Sequence, residues 1–114
     1  MGGPEQIDAA PERKTEMHVI AQIESELGKV RTSLLPSVDQ FLESLSNHTA
    51  VPGDSLDQEH KRLGELLLQS LLRLDAIHAE SEWEQARKDR KAGVREVQTL
   101  LDRLDTGWKA RRGL

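Results

Sequence analysis

Between positions 20 and 45 the apolar residues Ile20, Ile23, Leu27, Val30, Leu34, Val38, Phe41 and Leu45 recur at steps of three and four. Such steps keep side chains on one face of a 3.6-residue turn, so the spacing predicts one long amphipathic helix over 14–48. Pro36 falls inside it. Proline offers no backbone donor, crowds the turn before it and biases Leu35 away from helical angles, yet the stripe stays in phase beyond it. The expectation is a kink rather than a break. Residues 49–54, with Pro52 and Gly53, read as a loop.

A second helix is predicted over 55–80, opening with the capping box Ser55-x-x-Gln58. Its stripe of Leu56, Leu63, Leu67, Leu71, Leu74 and Ile77 is widened by Leu66, Leu68 and Leu72. A helix apolar on so broad a front is expected to contact neighbours on two sides, as the central helix of a bundle does. Gly64 within it costs roughly 1 kcal/mol relative to alanine, and tight packing is the expected reason. The third helix, over 82–111, opens with Ser81-x-x-Glu84 and carries a seam of Trp83, Ala86, Val94, Val97, Leu101, Leu104 and Trp108, with Arg90 on its border. Short connections between three such helices predict an all-α, antiparallel three-helix bundle over 14–112. Phe41, Leu67, Leu71, Leu74, Val94, Val97 and Leu101 are expected to be buried in a monomer. At about 1.5 Å per residue the rod is roughly 40 Å long, a platform rather than a pocket. Residues 1–13, with two glycines, two prolines and no apolar period, read as a disordered lead or linker.

Composition narrows the function classes. The chain has 114 residues, no cysteine, no tyrosine and a single phenylalanine, so one leucine-rich core is expected and a disulfide framework or sulfur-based metal site is excluded. No signal-peptide pattern and no run of 18 apolar residues occurs, which predicts a cytoplasmic setting without membrane contact by this stretch. The net charge of −4 argues against nucleic acid as a partner. The charge is uneven, however: residues 81–114 hold nine bases and six acids, so the last helix carries a basic strip.

Nothing in the sequence builds an active site or calls for a cofactor. No glycine-rich phosphate loop, GxSxG or HExxH motif occurs, the four histidines (His18, His48, His60, His78) lack a metal-ligand spacing, and a slim bundle offers no desolvating cleft for catalytic carboxylates. A binding module is expected rather than an enzyme. The candidate chemistry is a polar arc on the later helices. Lys91 and Gln98 are seven residues apart, hence on one line, with Arg95 and Asp102 extending it and Arg90 one step around. Glu65 and Asp75 are ten residues apart on the second helix, about 15 Å along its axis. Residue by residue these are ordinary solvated charges.

As a set they are not ordinary. Glu65, Asp75, Arg90-Lys91 and Gln98, at steps of ten, fifteen and eight, together with Leu74-Asp75 and Arg90-Lys91-x-x-Val94-x-x-Val97-Gln98-x-x-Leu101, resemble the BAG domain, and LLPSVDQFL resembles its fungal members most. The resemblance implies a three-helix bundle whose second and third helices clamp the ATPase domain of the chaperone Hsp70 and promote ADP release. It implies that Glu65, Asp75, Arg90, Lys91 and Gln98 make the contact, with Lys61, Gln69, Arg95 and Asp102 flanking it. One departure is Ala92-Gly93, where a larger apolar residue is more usual in the second place, so local packing there is in question. The competing expectation is a helical adaptor or tether that holds a chaperone, a ribosome or a membrane surface without exchange activity.

Overall fold

A computed structural model of the chain describes residues 15–46 and 53–112. The predicted lead over 1–13 and residues 49–52 of the predicted loop lie outside the described residues. The first arm is one continuous helical rod made of α1 (Glu16–Lys29), a π-turn (Val30–Leu34) and α2 (Leu35–Ser46). It is followed by α3 (Gly53–Ala76) and α4 (Glu84–Arg112). The chain forms an all-α three-helix bundle.

The disturbance expected at Pro36 takes the form of that π-turn. The Leu35 N–H reaches back five residues to the Val30 carbonyl, which opens the ladder immediately before the proline. A wider turn gives the ring room that the preceding turn of a regular helix denies it. The apolar stripe survives, with Val30, Val38, Phe41 and Leu45 all buried.

Cross-helix bonds fix the directions of the arms. Glu16 reaches Ala86, Arg31 reaches Glu96 and Arg103 reaches Asp39, so the first arm and α4 run parallel. Arg73 reaches Glu26 and His60 reaches Asp105, so α3 runs against both. Ile23, Leu63, Leu67, Leu74, Val97 and Leu104 are completely shielded at the centre.

Burial departs from the expected list in an ordered way. Phe41, Leu67, Leu74 and Val97 are buried, whereas Leu71, Val94 and Leu101 are only half-buried, and Leu100 takes the inner place beside Leu104. Leu68 and Leu72 are exposed rather than packed on a second neighbour. Leu63, Leu67, Ser70 and Leu74 already form the inner line of α3, and Leu68 and Leu72 lie around the helix from it, facing out.

Two glycines allow close helix contact. A Cβ on buried Gly93 would stand 3.1 Å from Leu27 Cδ1, and one on Gly107 would run into Leu42 Cδ2. Leu27 therefore occupies the space that a larger side chain after Ala92 would take, which answers the packing question there. Gly64 is different. Its Cβ would meet only Leu104 Cδ2, at 3.9 Å, an ordinary contact, so tight packing inside the bundle does not account for it. Gly64→Ala is expected to stabilise the domain by about 1 kcal/mol through helix propensity, read as a higher urea midpoint at unchanged slope.

The predicted caps also differ. α3 begins at Gly53, two residues before Ser55, and ends at Ala76, so His78 lies in the connection and not on a helix. α4 begins at Glu84, after a turn in which the Trp83 N–H bonds the Glu80 carbonyl. Ser81 does not cap it. Instead the Glu16 carboxylate, from the start of α1, accepts from the Ala86 N–H at 3.1 Å. A capping group supplied by a different helix does the work assigned to the local motif.

Candidate partner-binding face

The charges of α4 divide into two sides. Toward the first arm, Glu96 takes a two-pronged bond from Arg31 (Nε–Oε2 and Nη2–Oε1, both 2.7 Å), and Arg103 donates to Asp39 at 2.7 Å. The Arg31 guanidinium holds the Glu96 carboxyl below the usual carboxylate range. Away from the first arm, Lys91, Arg95, Gln98 and Asp102 follow at steps of four, three and four. None of these four makes a hydrogen bond or ion pair among the described residues, and all four are exposed.

α3 contributes the matching acids. Glu65 and Asp75 are exposed and likewise unpaired among the described residues. Asp75 of α3 and Arg90, Lys91, Arg95 and Gln98 of α4 line an open groove of about 660 Å³. Four of the five residues singled out from the sequence thus surround one groove. Glu65 lies outside it, about 15 Å back along α3. Of the flanking candidates, Arg95 lines the groove, Gln69 and Asp102 are exposed beyond it, and Lys61 pairs with Asp57 at 3.3 Å. Glu84, Arg87 and Lys88 extend the groove wall, and sequence reasoning did not single them out.

Arg90 has a second task. Its Nη1 donates to the Ile77 carbonyl at 2.7 Å, just past the end of α3, where helix carbonyls lack partners and positive charge is favoured. One of five guanidinium donors is used this way, and the rest remain for the groove. From the border position read from the sequence, Arg90 thus ties the connection to the side of α4 that lines the groove.

A larger groove, about 940 Å³, lies on the other side, between α1 and the connection. Its strongest charges already satisfy each other. Glu26, buried at 7% exposure, accepts from Ser70 Oγ (2.8 Å) and from Arg73 Nε and Nη2 (both 3.0 Å). The Arg73 guanidinium holds the Glu26 carboxyl below its ordinary value, outweighing the upward push of burial. This clamp was not read from the sequence. Its signal was Ser70, a polar residue in the inner line Leu63, Leu67, Leu74, which needs a partner once buried. At the far end His60 stacks on Trp108 (centroids 5.0 Å apart) beside Phe41, and its Nε2 lies 2.9 Å from Asp105 Oδ1. His60 serves the bundle.

A parallel first arm and last helix, an opposed middle helix and a two-signed polar face on the last two define an all-α three-helix bundle with one outward polar side. The BAG domain family profile matches residues 23–107, and the chain belongs to that family. Over 85 residues, 75% of this chain, it is 32% identical to BAG family molecular chaperone regulator 1B of Schizosaccharomyces pombe. The chain spans 39% of the length of that relative. No solved structure matches the chain significantly.

Proposed function

We propose that this chain is a co-chaperone module that grips the ATPase domain of an Hsp70 with α3 and α4 and speeds its release of ADP. The observation that carries this reading is the outward set Glu65, Asp75, Arg90, Lys91 and Gln98, with four members around one groove and four without a partner among the described residues. Membership of the BAG domain family supports it, as does the relative named as a chaperone regulator. Carboxylates of Glu65 and Asp75 meet basic groups of the partner, Arg90 and Lys91 meet acidic ones, and the Gln98 amide donates and accepts. Opposite signs at separate points fix register as well as affinity. The cysteine-free sequence fits a reducing, cytoplasmic setting for this exchange.

Exchange follows from geometry by linkage. α3 and α4 hold contacts spread over 15 Å or more at about 1.5 Å per residue, so the face reads the relative position of two parts of the partner rather than one patch. If it fits the open ATPase domain, it weakens nucleotide binding by the factor by which nucleotide weakens its own binding. Titration of labelled ATPase domain is expected to give the highest affinity without nucleotide, less with ADP and least with ATP. Equal affinity in all three states would leave a passive tether, because a ligand that binds two conformations equally shifts neither.

A further inference from the structure

We infer that Leu68 and Leu72 form an apolar centre of the α3 docking face and seat on an apolar patch of the same ATPase domain, bordered there by basic groups. The inference rests on the function proposed above and adds to it the part of the contact that is not charged. Leu68 is 51% and Leu72 65% exposed. Met17, the other large apolar residue exposed among the described residues, lies at the start of α1. A lone exposed apolar residue is ordinary on a protein surface, whereas a pair one turn apart is a small patch.

The placement of the pair says what covers it. Glu65, Leu68, Leu72 and Asp75 follow at steps of three, four and three, so they form one line on the outside of α3, acid at each end and leucine between. Asp75, at one end of this line, also lines the groove with Arg90, Lys91 and Gln98, so the line and the groove meet at that residue. The inner line of α3 fills the core without these leucines. A second copy of the chain is a poor occupant: a two-fold contact lays the line against itself, carboxylate facing carboxylate at both ends. A partner with basic groups about 15 Å apart and an apolar surface between them fits instead. Burial of such a pair against an apolar surface adds a non-directional contribution that salt does not screen.

The test is a double variant, Leu68→Gln with Leu72→Gln, since glutamine keeps nearly the helix propensity of leucine. Its melting temperature is expected to stay within a few degrees of the parent, and its affinity for nucleotide-free ATPase domain to fall by roughly tenfold or more, the scale set by apolar burial of two leucines. For the parent chain, binding should retain a part that persists in high salt, and the variant should lose it. Unchanged affinity in the variant while the parent binds would overturn the inference and leave the proposed function standing. A large fall in melting temperature would make the leucines structural, and a parent that is dimeric by light scattering with a monomeric variant would make the occupant a second copy; either overturns it. Failure of the parent chain to bind the ATPase domain at all would overturn both readings.

Discussion

Glu26→Ala is expected to destabilise the bundle by about 2 to 3 kcal/mol, the largest loss from any single polar substitution proposed for this fold. Glu26 is the one carboxylate among the described residues that is buried, and it joins α1 to α3 through Ser70 and Arg73. Removal leaves the fully shielded Ser70 hydroxyl without its acceptor. Arg73, about half exposed, can return to water, which keeps the loss below that of a fully buried pair. For a domain of about 100 residues, 2 kcal/mol corresponds to a fall of roughly 8 to 16 °C in Tm. Thermal unfolding at neutral pH measures it.

The same clamp gives the domain an acid limit. The folded carboxyl of Glu26 has its pKa lowered from 4.5, chiefly by the Arg73 hydrogen bonds. Stability from the clamp is therefore complete above pH 4.5, the unfolded value, and is lost as pH falls through the lower folded value. Glu59 beside Arg62 and Glu96 beside Arg31 shift in the same direction, but they are more exposed and contribute less. Glu26→Gln should be less stable than the parent at pH 7 and should lose less stability between pH 5 and pH 3, by urea unfolding across about that range. Parallel pH curves for the two proteins would show that Glu26 is not the group responsible.

The second large effect concerns binding. Lys91→Glu is expected to weaken affinity for the ATPase domain by about 2 to 5 kcal/mol, because reversal leaves a partner acid unpaired and repelled in a desolvated contact. Lys91 is exposed and unpaired among the described residues, so its reversal should leave the melting temperature unchanged. Arg90→Glu should lose binding at least as completely, with a difference that separates its two roles. It removes the donor of the Ile77 carbonyl, and a charge-assisted bond of that kind is worth about 1.5 to 3 kcal/mol. From the sequence, Arg90→Glu is expected to abolish binding with the melting temperature nearly intact, its place on the border of the seam leaving a folding role open; the bond to the Ile77 carbonyl supplies that role. Affinities of the two variants belong at a temperature where both are folded. Lys91→Glu with unchanged affinity would remove the α4 half of the face from the account.

The architecture was legible because apolar steps of three and four depend only on helical period, and they survived the π-turn at Pro36. Glu65, Asp75, Arg90, Lys91 and Gln98 stood out only through their resemblance to the BAG pattern, and the structure gathers Asp75, Arg90, Lys91 and Gln98 around one groove. What was hidden depends on which neighbour stands opposite. Leu68 and Leu72 look like core until the inner line of α3 is seen to be complete without them. The cap on α4 comes from Glu16, 70 residues earlier, and a local Ser-x-x-Glu motif cannot reveal that. Glu26 looks like a surface acid until Ser70 and Arg73 arrive from another helix. Gly64 looks like a packing glycine until a Cβ there proves to meet Leu104 at no more than an ordinary contact distance.

The most direct measurement for the central claim is stopped-flow release of a fluorescent ADP analogue from an Hsp70 ATPase domain, with and without this chain. Release should accelerate in a saturable way with the parent chain and return to the basal rate with Lys91→Glu, both proteins being folded. A chain that binds the ATPase domain but leaves the release rate unchanged at saturation would contradict the account.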